Sequence, residues 1–204
     1  MHLVSIMGSY RKGKTIDTLL DKAIEGVQSV KSDVTIDKIN LVEKHIEYCK
    51  NCHICKKDIV STPLSSCPIQ DDMQEIYSML IKADVYIFGT PVNFGHETAI
   101  MKTFIERIAY VLARPNPNSF PVAQIPEPRM KNISKRAIIV VSSGIVPPLF
   151  KMFCDQATPL ITEVCKTCLN AKVIGSLYAG AIDKVGVQTY FNRAYQLGKK
   201  LINI

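Results

Sequence analysis

Short apolar runs and helical stripes alternate along the chain. "HLVSIM", residues 2–7, is a compact apolar run and predicts a first strand. After a glycine-containing loop, Ile16, Leu19, Leu20, Ala23, Ile24 and Val27 recur at helical spacing, with Asp17, Asp21, Lys22 and Glu25 on the opposite face. In "DVTIDKI", Val34 and Ile36 alternate with polar neighbours, as in a half-exposed edge strand. A second helix is expected from Asp72, which forms a capping pair with Glu75; Met73, Ile76, Leu80 and Ala83 make its buried stripe. "VYIFGT" and "RAIIVVSS" are unbroken apolar runs, the signature of central parallel strands. Ile100, Met101, Phe104, Ile105, Ile108 and Leu112 mark a third helix. The fourth contains Thr158-Pro159, where it is expected to restart or kink. "KVIGSL" closes the set of strands, and "GVQTYFNRAYQLGKKLI" is the last helix, with Val187, Phe191, Ala194, Leu201 and Ile202 inward.

Strand and helix thus alternate five times, which predicts an α/β protein with a doubly wound five-stranded parallel sheet. Ligands of such sheets sit beyond the carboxyl ends of the strands, so the loops after the first, third and fourth strands are the places to look. Two stretches stand outside the alternation. One is a cysteine-rich insertion at 48–70. The other is "RPNPNSFPVAQIPEP", 114–128, whose Pro and Asn content predicts a surface loop with no regular element. No linker or repeat divides the rest, so 1–204 is expected to form one domain.

Composition narrows the classes. Apolar residues make up 47% of 204, enough for a packed core. The formal charge of +7 is spread along the chain, and aromatics are few, which argues against nucleic acid and for a surface that favours anionic ligands. There is no leader pattern and no apolar stretch of membrane length, so a soluble cytoplasmic protein is expected, with no membrane partner. In that compartment the cysteines are expected to be reduced or to bind metal.

"GSYRKGKT", residues 8–15, fits the nucleoside-triphosphate loop pattern G-x-x-x-x-G-K-T. In that reading Lys14 reaches terminal phosphates and Thr15 binds Mg²⁺, and an acidic residue must end a neighbouring strand. The two candidate strands end in "FGTPVNFG" and "VVSSGIV", without one. The alternative is a single phosphate monoester, as in flavin mononucleotide (FMN), held by hydroxyls, backbone N–H groups and the Arg11 guanidinium at the start of a helix. A flat ring would then lie between "TPVNFGH" and "SSGIVPP". The first supplies a tight turn with Phe94 able to lie against the ring; the second supplies Ser142, Ser143 and Gly144.

The cysteine run reads C-x2-C-x2-C, then Cys67 followed by Pro68. That spacing suits a 4Fe–4S cluster; zinc sites use separated pairs, and metal-free thiols are the third possibility. Cys165 and Cys168 repeat the spacing on a helix and are expected to pack in the core, as is Cys154. His53 is expected to be exposed rather than a ligand, and His96 follows the ring loop.

Taken together, "GSYRKGKT", "CKNCHIC" with "CPIQDDMQEI", "ADVYIFGTPVNFG" with "MKTFIER", and "GVQTYFNRAYQLGKKL" resemble the iron–sulfur flavoproteins, a branch of the NADPH-dependent FMN reductase superfamily. The resemblance implies a flavodoxin-like fold with strand order 2-1-3-4-5. It implies that Ser9, Arg11, Lys14, Thr15 and Ile16 hold the FMN phosphate. Pro91, Val92, Asn93, Phe94 and Gly95 would line the ring, with Ser143 and Gly144 opposite. Cys49, Cys52, Cys55 and Cys67 would hold a 4Fe–4S cluster. It also implies a homodimer or homotetramer that passes electrons between cluster and FMN, with ferredoxin or a nicotinamide, NAD(P)H, as donor. The gap before Cys67 is longer than usual for that family, and Asn93 stands where Tyr is common. Other readings are a clusterless NAD(P)H-dependent FMN or quinone reductase, a non-catalytic electron carrier, and a P-loop NTPase or kinase. No side chain stands out as an acid, base or nucleophile.

Overall fold

A computed structural model describes residues 1–116, 118, 125–131 and 135–203. Five parallel strands form one sheet: β1 (His2–Met7), β2 (Thr35–Asn40), β3 (Val85–Pro91), β4 (Lys135–Ser142) and β5 (Ala171–Ala179). Their order is β2-β1-β3-β4-β5, as expected for a flavodoxin-like chain. The principal helices are α1 (Thr15–Val30), α2 (Met73–Lys82), α3 (Ala99–Leu112), α4 (Ala157–Leu169) and α5 (Phe191–Ile202).

The apolar runs are unbroken because both faces of the sheet are covered. Leu3 and Met7 of β1, Ile87 of β3 and Val140 of β4 pack with Leu19, Ala23 and Val27 of α1 and with Ala194 and Leu201 of α5. Val4, Ile6, Phe88, Ile139 and Val141 point the other way, onto Met73, Ile76 and Leu80 of α2, Phe104 and Ile108 of α3, and Ile161 of α4. Each fully buried Leu, Ile or Phe contributes about 1.5–3 kcal/mol relative to exposure. Edge strand β2 does not alternate strictly: Thr35 and Lys38 are exposed, Ile36 and Asp37 are half-buried, and Ile39 is buried.

Helices α1 and α5 touch backbone to backbone. A Cβ on Gly26 would stand 2.0 Å from the Tyr195 carbonyl oxygen, and one on Gly198 would stand 1.9 Å from that of Ala23. Only glycine fits at either position.

Three expectations are corrected. Asp72 and Glu75 do not form a capping pair: Asp72 has helical backbone angles and makes no cap bond. Its carboxylate accepts the His45 amide (2.8 Å), Glu75 pairs with Lys44, and Asp71 accepts the Met73 amide at the helix start (3.1 Å). The Pro-rich stretch does contain regular structure, because Ala113–Pro115 pairs antiparallel with Pro126–Pro128. Proline is tolerated in such a ribbon because an edge leaves N–H positions unused. Residues 117 and 119–124 of that loop lie outside the described residues. Finally, the helix after β4 breaks before Pro159, not at it. A short turn, Lys151–Cys154, ends at Asp155, whose carboxylate then accepts the Thr158 amide at the start of α4 (2.9 Å). Pro159 falls in the first turn, where a missing N–H costs little. Among the described residues no helix is long and apolar enough to cross a membrane.

Candidate functional site

The loops after β1, β3 and β4 leave neighbouring strands at the same sheet edge, and backbone contacts pin them together. In the first loop the Gly8 amide donates to the Gly89 carbonyl (2.7 Å), and the Thr98 hydroxyl, which caps α3, donates to the Gly8 carbonyl (2.5 Å). A Cβ on Gly8 would meet Met101 at 2.8 Å, so the loop sits directly on α3. Ser9 is buried and its hydroxyl accepts the Arg11 amide (3.2 Å). Arg11 and Lys14 are exposed, and Thr15 is half-buried. Ile16 is buried in the core beneath the sheet, so only its backbone can face a ligand. Lys14 precedes α1 without a side-chain cap, while the Gly13 amide is taken by the Asp17 carboxylate (2.7 Å). Lys12 turns away to pair with Glu43.

The second loop is a tight hairpin. Asn93 and His96 exchange backbone hydrogen bonds (2.8 and 3.1 Å) around Phe94 and Gly95, which have φ of +50° and +86°. The Val92 amide donates to Ser142 and the Gln156 amide to Gly95, tying this hairpin to β4 and to the start of α4. In the third loop the Ser143 hydroxyl accepts the Val146 amide (3.2 Å). Val92, Phe94, Gly95, Ser143, Gly144, Ile145, Val146, Phe153 and Cys154 line a cavity of about 520 Å³. The sequence-predicted ring residues Val92, Phe94, Gly95, Ser143 and Gly144 therefore line one cavity; Pro91 and Asn93 are not among its lining. Phe94 is fully exposed at the hairpin tip, not folded against a partner. Ile145, Leu149, Met152 and Phe153 are exposed beside it and form an apolar rim.

Cys49, Cys52, Cys55 and Cys67 line a second cavity, of about 120 Å³. Cys49 and Cys52 are exposed, while Cys55 and Cys67 pack against the core. Burial, followed by the neighbouring Cys67, Cys49 and Cys52 sulfurs, pushes the Cys55 thiol up from its ordinary range. The donor set is sulfur-rich, as a cluster requires. Among the described residues, no three of His, Cys, Asp and Glu stand in a group that could hold a metal ion. His53 is exposed and bonds Asn51 (2.8 Å), as expected of a non-ligand.

The sequence reading missed what holds this segment. Arg107 and Asp71 form an ion pair whose side chains are 1% and 0% exposed. Arg107 also donates to the Glu47 carbonyl (2.7 Å) and to the Cys67 sulfur (3.7 Å). Burial alone would raise the Asp71 carboxyl, but hydrogen bonds from Arg107 and from the Glu47 and Met73 amides outweigh it and hold it below its ordinary value. Arg129, likewise buried, donates to the carbonyls of Ser61 (2.9 Å), Cys55 (3.0 Å), Asp58 (2.5 Å) and Tyr110 (3.2 Å). A signal for Arg107 existed: it lies three residues after Phe104 and four before Val111, inside the buried stripe of α3. Arg129 carried none.

Of the other cysteines, Cys165 and Cys168 are buried in the core as expected, and burial pushes the Cys168 thiol up to about 11. Cys154 is half-buried on the wall of the larger cavity, a correction to its placement as a packing residue. No acidic residue ends β3 or β4 beside the first loop, since these strands run into Pro91 and Ser142.

A five-stranded parallel sheet with helices on both sides and three convergent loops at one edge defines a flavodoxin-like protein. The chain belongs to the NADPH-dependent FMN reductase family, whose model matches residues 1–143. It is 32% identical over 108 residues to an iron–sulfur flavoprotein of Archaeoglobus fulgidus, covering 53% of this chain and 46% of that one. It is 23% identical over 163 residues to a putative NAD(P)H-dependent FMN-containing oxidoreductase of Bacillus subtilis, covering 80% and 75%. The chain spans about half the length of the iron–sulfur flavoproteins it matches. Among solved structures it is similar in fold to an NAD(P)H:quinone oxidoreductase from Methanothermobacter marburgensis (TM-score 0.68, 15% identity, 98% of each chain). An FMN-dependent NADH-azoreductase of Bacillus anthracis, solved with FMN, gives a TM-score of 0.67 at 10% identity, over 99% of this chain and 98% of that one.

Proposed function

We propose that this chain is an FMN-dependent oxidoreductase of the iron–sulfur flavoprotein kind, with FMN at the three-loop edge and a 4Fe–4S cluster on Cys49, Cys52, Cys55 and Cys67. The observation that carries it is the joint presence of two pockets, one lined by strand-end loops and one lined by all four cysteines of the C-x2-C-x2-C…C run. Family membership supports the flavin, and the iron–sulfur relatives support the cluster.

Bound FMN supplies hydride and single-electron exchange at its ring. The chain's own part is to hold and screen. Ser9, Arg11, Lys14, Thr15 and the Ile16 amide take the phosphate, and charge on Arg11 and Lys14 favours the dianion. Pro91 to Gly95, with Ser143 and Gly144, orient the ring. The exposed apolar rim from Ile145 to Phe153 keeps water from its edge once covered, which supports a homodimer or homotetramer. NAD(P)H or ferredoxin is the donor in this reading.

A second reading, the clusterless NAD(P)H-dependent reductase, draws support from the lack of a ready metal-binding group among the described residues. An electron carrier or a P-loop enzyme has no comparable support. Anaerobic purification decides between the first two. FMN and about four irons per chain, with a broad air-bleached absorbance beside the flavin bands, is the expected result. Flavin bands with no iron would move the assignment to the clusterless reductase, and a colourless chain that takes up no FMN would remove both.

A further inference from the structure

We infer that Arg107 is a positioning residue for the Cys67 sulfur, and that its N–H contact to that sulfur sets the reduction potential of a cluster held there. The inference rests on the cluster reading above.

The geometry is specific. One guanidinium nitrogen, Nη2, donates to Asp71 Oδ1 (3.0 Å) and to Cys67 Sγ (3.7 Å); the other, Nη1, donates to the Glu47 carbonyl (2.7 Å) and to Asp71 Oδ2. The Nε–H is left without a partner. A brace for the backbone alone would need only Glu47 and Asp71. Here one donor of the fork also reaches the Cys67 sulfur, a contact that bracing the backbone does not require. Arg129, whose buried Nε–H is likewise unpaired, makes no sulfur contact and reaches Cys55 only through the backbone carbonyl (3.0 Å). Among the described residues, Cys67 is thus the cysteine of the four that receives a guanidinium hydrogen bond.

A hydrogen bond to a ligand sulfur withdraws negative charge from it and favours the reduced, more negative cluster, so the potential rises. Asp71 opposes this through the same guanidinium, sharing Nη2 with the sulfur. Because both side chains are buried, neither effect is screened by solvent. The two residues should therefore shift the potential in opposite directions.

The test is a mediated dithionite titration of the anaerobically purified protein, followed by electron paramagnetic resonance, with iron and FMN per chain measured on each sample. Arg107→Lys keeps the charge but loses the planar fork. It should lower the reduced-to-oxidised ratio at fixed poise about tenfold, or about 59 mV for one electron, with FMN content unchanged. Asp71→Asn leaves the guanidinium uncompensated and should shift the potential upward. If Arg107→Lys holds no iron, the sign of the Asp71→Asn shift decides. Residual cluster at the wild-type potential in either variant, shifts of the same sign, or total iron loss from both would make Arg107 a backbone brace only and overturn the inference. Wild-type protein without iron would instead overturn the cluster reading.

Discussion

The sheet-edge pocket is positioned by backbone, and the cysteine pocket by side chains. In the first, Gly8 to Gly89, Val92 to Ser142 and Gln156 to Gly95 are all amide-to-carbonyl bonds, joining strand ends, the hairpin and the start of α4. They follow from the topology, so many sequences could make them, and Arg11, Lys14, Asn93, Phe94 and Gly144 are left exposed while Ser9 and Ser143 are buried. In the second, no sheet or long helix passes through 48–70. The chain is held by the buried Arg107–Asp71 pair and by Arg129, which gathers carbonyls from Cys55 to Ser61. A scaffold of the first kind degrades gradually when altered. One of the second kind depends on a few buried donors and should fail as a unit.

The largest expected effect tests that contrast. Arg129→Met removes the partner of four carbonyls and should cost about 3 kcal/mol. Amide exchange should show 48–70 opening while β1, β3 and β4 stay protected; equal loss in the sheet would erase the distinction. Gly8→Ala, which drives a methyl group into Met101, should cost about 1–3 kcal/mol. It should reduce FMN per chain and leave iron untouched, and a parallel fall in iron would mean the two pockets are not separable. Arg11→Ala should weaken FMN binding about tenfold with no measurable change in melting temperature; unaltered affinity would take Arg11 out of the phosphate site. The mildest perturbation is acid. Asp71 is held below its ordinary 3.8, so its stabilising contribution is complete above that value and is lost as pH falls through the lowered one. Exchange protection at Glu47 and Met73 should then drop ahead of that in the sheet, and simultaneous loss would count against a separately held segment.

What could be read from sequence divides along the same line. The strands and the stripes of α1, α2 and α3 are local patterns, and Leu3, Val4, Phe88 and Ile108 lie where periodicity puts them. The turns after β3 and β4 were legible because a Gly or Pro just after a central strand marks a turn. Asp72 and Glu75 misled because a capping pair is a local rule, and here His45 and Lys44, far off in sequence, claim both carboxylates. The pairing of 113–115 with 126–128 was hidden because proline is a weak guide at an edge. Arg107 sits inside the buried stripe of α3, which marks it as no ordinary cation, but its role depends on Asp71, which reaches it only once the chain has folded. Arg129 depends on four carbonyls, which no side-chain pattern encodes.

The glycine contact between α1 and α5 has a consequence for evolution and engineering of this fold. How closely α5 lies against the second half of α1 is limited at Ala23 and Gly26. If α1 does open on a phosphate as proposed, Gly198 would bear on its affinity without approaching it. Grafting residues 1–143 onto a foreign carboxyl-terminal segment would keep the whole first loop and still lose this close packing, unless the graft brought a glycine to face Ala23.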